Sequence, residues 1–215
     1  PTWAAAIKTE LTSPEKKVEC NRFGGSPEML PDCAGIIADC KEAGLVVNLT
    51  TPGRRFMQDR QFVADIAANP PNILAMSFDD MDPIELARIS KMDLGQIKAE
   101  WKTVPPHWGQ RQKAYEGIYA ARLMREMKVP VTPLFNVVIH PGNVNHLKEI
   151  LVMITECVPG ALANPYPAQS FGNEFPCWFP SSLPALRKHI LGFIEGTLEG
   201  RLGVTRRLHY YVALE

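Results

Sequence analysis

Short apolar, β-branched runs alternate five times with segments of helical period along this 215-residue chain. The runs occupy residues 18–23, 45–50, 73–78, 134–139 and 161–164. Repetition of strand then helix predicts parallel strands joined by right-handed crossovers, because each strand must return to the same end of the sheet before the next begins. The spacing is even except between Ile73 and Leu134, where it doubles. That interval predicts an enlarged connection of two helices, split near Val104-Pro105-Pro106-His107.

Local signals support the helices. Cys33, Ile36, Ile37 and Cys40 fall on one helical face, with Asp32 placed as N-cap and Gly44 placed to stop the helix. Phe62, Val63, Ile66 and Ala67 make a shorter stripe. Asp82-Pro83-Ile84-Glu85 combines a capping acid with proline at the first helical position. Leu147, Ile150, Leu151 and Ile154 repeat the stripe behind Asn145, and Leu183, Leu186, Ile190, Phe193 and Ile194 form the last one. Trp3, Ile7 and Leu11 recur every fourth residue with no strand before them, so the chain is expected to begin inside a longer βα series. Residues 204–214 alternate weakly and suggest an added edge strand. The expected organisation is a βα unit over residues 1–165, truncated at its N-terminal end, with residues 166–215 packed on it as a helix and edge strand.

Composition narrows the function classes. Lys+Arg and Asp+Glu are equal at 23 each, so nothing electrostatic favours nucleic acid as a partner. No apolar run reaches the roughly 18 residues that span a bilayer, and no secretory leader is visible. An odd count of 5 cysteines without tight spacing predicts free thiols in a reducing, cytoplasmic setting.

In parallel βα folds, ligands gather outside the carboxyl ends of the strands. The residues there are Gly24-Gly25-Ser26-Pro27-Glu28, Thr50-Thr51-Pro52-Gly53-Arg54, Ser77-Phe78-Asp79-Asp80, Asn136 with His140-Pro141-Gly142-Asn143, and Asn164-Pro165. All are polar or glycine-bearing, whereas the runs behind them are mostly apolar. Paired glycines let backbone carbonyls and amides approach a ligand, although an ordinary βα turn uses the same residues. Ser77 and Asp79 lie two apart, hence on one strand face; they either contact a ligand or cap the following helix. Arg54-Arg55 either binds a carboxylate or phosphate or is simply exposed. His140 suits a loop histidine better than a base, and His107-Trp108 suits a helix–helix turn better than a lid. Phe171, Phe175, Trp178 and Phe179 suit a plug at the open side or bottom of the fold better than the lining of a substrate pocket.

Gly24-Gly25-Ser26-Pro27 behind a strand resembles the Gly-Gly-Glu-Pro motif of radical S-adenosylmethionine (radical SAM) enzymes. Residues 44–53, Gly-Leu-Val-Val-Asn-Leu-Thr-Thr-Pro-Gly, are similar to the family's G-x-x-V-x-L-x-T-N-G strand, and Ser77-Phe78-Asp79 to its S-x-D strand. His140-Pro141-Gly142-Asn143 is similar to the segment after the fifth family strand. The resemblance covers roughly residues 15–165 and implies a partial (β/α) barrel of about six strands, of which this chain supplies the later five. It implies S-adenosylmethionine as cofactor, a 4Fe–4S cluster, a 5′-deoxyadenosyl radical and hydrogen abstraction from a small-molecule or peptide substrate. An electron-donor protein would be a further partner. The resemblance places Gly24, Gly25, Ser26 and Pro27 at the methionyl group, with Thr50 in the neighbouring strand motif. It places Ser77, Asp79 and Asn136 at the ribose hydroxyls or carboxylate, and Asn164 near the adenine.

The chain departs from the family at three places. Ser26 stands where the family has glutamate, Pro52 where it has asparagine, and the Cys-x-x-x-Cys-x-x-Cys that holds the cluster is absent. Cys20, Cys33, Cys40, Cys157 and Cys177 are dispersed, with Cys33 and Cys40 expected in the core; no metal ligand is expected in this chain, and it is expected to be inactive alone. Two other classes stay open. One is a degenerate barrel that binds a ligand or partner protein without redox chemistry. The other is a complete lyase or aldolase barrel, against which stands the position of Lys91, Lys98 and Lys102 away from strand ends.

Overall fold

The structure, a computed structural model, describes residues 19–21, 26–78, 82–105, 109–140, 142–167, 184 and 188. The strands are β1 (Glu19–Asn21), β2 (Val46–Thr51), β3 (Ile73–Phe78), β4 (Thr132–Ile139) and β5 (Leu162–Pro167). They form one parallel sheet whose spatial order is the chain order, β1-β2-β3-β4-β5. Between them run α1 (Cys33–Glu42), α2 (Arg54–Gln58), α3 (Arg60–Ala68), α4 (Pro83–Ser90), α5 (Leu94–Trp101), α6 (Gly109–Glu126) and α7 (Leu147–Cys157). The predicted α/β class and parallel strands are present. The expected N-terminal helix, the edge strand and the aromatic plug lie outside the described residues, and of the expected last helix only Pro184 and Lys188 are described, both helical.

The two faces of the sheet differ. Alternate positions of β2, Val47, Leu49 and Thr51, are buried, while Val46, Asn48 and Thr50 are half-buried. Register carries that parity across: Leu49 pairs with Leu74, and Met76 with Phe135. The buried face therefore comprises Leu49, Leu74, Met76, Phe78, Phe135 and Val137, at most 2% exposed, and it meets the helices. Phe78 and Phe135 meet edge to face at 5.5 Å. Removing each such side chain from water contributes about 1.5–3 kcal/mol. Helix α6 lies close on this face because Gly117 has no Cβ; one added there would stand 3.2 Å from Met76 Cβ.

Helix boundaries follow the local chemistry, with three differences from expectation. Asp82 caps α4 as predicted, its carboxylate accepting from the Ile84 amide at 2.9 Å, and Gly44 ends the α1 segment with φ 74°. Asp32 occupies the N-cap of α1 but makes no side-chain cap bond. The enlarged connection holds three helices, not two. The extra break comes from Asp93, which caps α5 and forms a reciprocal capping box with Gln96. Helix α7 starts from His146, not Asn145, because a 3₁₀ turn (Val144–His146) intervenes. That turn is tightened by Asn143, whose side chain accepts from the His140 amide at 2.9 Å and donates to the Val138 carbonyl at 2.8 Å.

Candidate functional site

The half-buried sheet face carries the polar residues. Ser77, Asn136 and Asn164 occupy one register row across β3, β4 and β5. Thr50 lies on the same face of β2, in the row of Ala75 and Leu134, two residues nearer the amino ends. Asn48 lies one row further back, beside Ile73. The Asn164 side-chain amide donates to the Asn136 carbonyl oxygen at 2.8 Å, which orients both carboxamides. Asn136 then retains its own N–H donors, and Asn164 its carbonyl acceptor, for other partners. The Asn48 carbonyl oxygen is buried and has no hydrogen-bond partner among the described residues. A row of hydroxyl and carboxamide groups offers both donors and acceptors without net charge.

Of the other expected cofactor contacts, only Ser26 and Pro27 are described. Ser26 is exposed, and Pro27 is buried in a 3₁₀ turn (Pro27–Met29) that packs against β2. Gly24, Gly25 and Asp79 lie outside the described residues, as does His107-Trp108. His140 accepts from the Gly142 amide at 3.1 Å, so its ring serves its own loop. Cys33 and Cys40 are buried in the core as expected, and Cys157 is too, its thiol donating to the Leu86 carbonyl at 3.4 Å. Burial pushes the Cys157 thiol up to about 11. Among the described residues no three His, Cys, Asp or Glu side chains are grouped as for a metal ion. The thiols described here do not converge, so they do not fit a 4Fe–4S cluster.

A second polar cluster, which the sequence reading missed, lies where the 3₁₀ turn, the end of β2 and helices α2 and α6 meet. Glu28, Thr51 and Glu116 are buried at 0%, 1% and 0% exposure. Glu116 Oε1 accepts from Arg54 Nε at 2.8 Å and from the Trp101 indole at 3.0 Å. Arg55 donates to the Glu28 and Leu30 carbonyls, both at 2.8 Å, pairs with Asp59 at 3.0 Å, and stacks over Phe62. The two arginines are thus neither free anion ligands nor merely exposed. Gly53 joins these parts: its φ is 95°, and a Cβ there would lie 2.6 Å from the Glu116 carbonyl oxygen. Burial holds the Glu28 carboxyl above the ordinary carboxylate range; the Thr51 hydroxyl and Arg54 oppose this, and the Glu116 charge reinforces it. The sequence signal for Glu116 was its spacing, one turn before Ala120 and two before Met124 on the buried side of α6.

No helix among the described residues is long and apolar enough to cross a membrane. No protein-family model matches the chain, and no curated protein does.

Proposed function

We propose that this chain is the nucleoside-binding part of a radical SAM-type enzyme, with the sheet curled into a partial (β/α) barrel around S-adenosylmethionine. The single observation that carries the reading is the Ser77–Asn136–Asn164 row on the face opposite the apolar one. Strand order supports the barrel. A sheet that steps to the next neighbour at every crossover, with no reversal, keeps its helices on one side and leaves the other to face inward. In this reading Ser77 and Asn136 hold ribose hydroxyls, Asn164 both orients Asn136 and meets the base, and Thr50 borders the methionyl arm. Gly24 and Gly25 supply backbone groups, and Asp79 a carboxylate. When bound, S-adenosylmethionine and a 4Fe–4S cluster supply the one-electron chemistry; the cluster ligands come from outside this chain. The protein's own part is to orient the nucleoside and keep water from it.

Two measurements test the proposal. The coding sequence upstream of Pro1 is expected to contain Cys-x-x-x-Cys-x-x-Cys. Equilibrium dialysis of the chain against labelled S-adenosylmethionine is expected to show weak binding, reduced about tenfold in a Ser77→Ala, Asn136→Ala double variant by loss of their hydrogen bonds. Unaltered binding in that variant removes both residues from the site. An upstream sequence without the cysteines would favour a barrel that binds its ligand or partner without redox chemistry.

A further inference from the structure

Helices α4 and α7 pack against each other and leave an open groove of about 440 Å³ between them. Pro83, Ile84 and Ala87 line one side, Val152 and Met153 the other, with Lys148 and Glu149 beside them. Helix α7 already buries Leu147, Ile150, Leu151, Ile154 and Cys157. Val152 and Met153 give it apolar residues on a second side. A helix that is apolar on two sides needs a partner on both. Helix α4 is built alike. Its Leu86 and Ile89 are buried, whereas Ile84 is 78% exposed, the most of any large apolar side chain among the described residues.

Three features of this surface suit a second molecule of the same kind. It holds both an exposed apolar side chain, Ile84, and a recess to receive one, as a two-fold contact needs when each copy offers the same surface. Its charges are one of each sign: Lys148 and Glu149 are both exposed, and neither is ion-paired among the described residues. Turned about a two-fold axis, each finds its opposite on the other copy. The chain's 23 basic and 23 acidic residues leave no net charge to hold two copies apart.

We propose that a second copy of this chain docks on the α4–α7 groove about a two-fold axis. Ile84 of each copy enters the groove of the other, and Lys148 of each faces Glu149 of the other. The apolar walls supply the attraction, and the charges fix the alignment. A contact centred on one groove belongs to the small, reversible class of interfaces, so the dimer exchanges with monomer. Helix α4 follows β3 and α7 follows β4, so the contact adjoins the connections that leave the carboxyl ends of both strands. The inference is independent of the nucleoside reading, and its test reads mass, not ligand.

Sedimentation equilibrium of the full chain from about 1 to about 200 µM is expected to show the mass rising from monomer to dimer, with a Kd of about 10 µM. Ile84→Asp, which would carry a carboxylate into an apolar recess, is expected to raise that Kd at least about tenfold. Lys148→Glu gives each copy two acidic residues here, and Glu149→Lys two basic ones, so each variant alone is expected to associate at least about tenfold more weakly. Mixed in equal amounts, the two should pair about as tightly as native copies, because every contact again joins opposite signs. All three positions are exposed, so the variants are expected to keep the native circular dichroism. A monomer mass at every concentration overturns the proposal. So do variants that dimerise as the native chain does, or a mixture that associates no more tightly than its components.

Discussion

Single residues in this fold act by concentrating several partners on one atom. Glu85 is the clearest case. Its Oε1 accepts from the Tyr115 hydroxyl, from Arg88 at 2.7 Å and from Arg111 at 2.8 Å. Burial alone would raise the Glu85 carboxyl, but the bonds from Tyr115, Arg88 and Arg111 outweigh it and hold the group below its ordinary 4.5. A depressed carboxylate adds stability above its unfolded value and loses it as pH falls through the folded value. Urea midpoints measured from pH 7 down to pH 2 are therefore expected to fall below about pH 4.5 in the native chain. Glu85→Gln should lower stability at pH 7 and flatten that acid limb; an identical limb in the variant would refute the assignment. From sequence, Glu85 looked like part of a helix start, since spacing shows only where it sits along α4. Its partners on α6 are brought to it by packing.

Elements are joined mainly through their ends. Arg122, on α6, donates to the Ser90 carbonyl at 3.0 Å and to those of Met92 and Cys157. Those carbonyls close the last turn of α4, the link after it and the last turn of α7, where intrahelical donors run out. One guanidinium thus satisfies acceptors from two helices and a loop, which its five fixed N–H groups allow. Arg122→Met keeps much of the apolar stem but leaves those carbonyls without this donor. It is expected to cost about 2–4 kcal/mol in chemical denaturation. A loss under about 0.5 kcal/mol would mean that water replaces the guanidinium without penalty. The same logic explains the extra helix between β3 and β4. A capping box at Asp93 and Gln96 is a local signal, and it was legible in the sequence, but the long polar interval hid it.

At the scale of the whole molecule, one apolar layer links both ends of the described chain. Cys33 and Cys40 on α1 and Cys157 on α7 belong to the same core cluster. Their alkylation under native conditions is expected to be slow, at least about a hundredfold slower than a free thiol for Cys157, whose pKa is pushed from 9.0 to about 11. With increasing urea, all three should become reactive over one transition, as peptide mass spectrometry would read. Separate transitions for α1 and α7 would show that the sheet is not one cooperative unit. The amino-acid sequence by itself determined the alternation of strands and helices outside the β3–β4 interval, the α/β class, the parallel sheet and the burial of Cys33 and Cys40. These rest on local periodicity and on the length of chain needed to return to one end of a sheet. It also pointed to Ser77, Asn136 and Asn164, because polar residues within apolar runs are visible without partners. Only tertiary structure placed those three in one row and brought Glu28, Thr51 and Glu116 together. Strand register, and the approach of α6 to β2 through Gly53, depend on contacts between residues far apart in the chain, such as Gly53 and Glu116, 63 positions apart. No spacing along a chain records a distance of that kind.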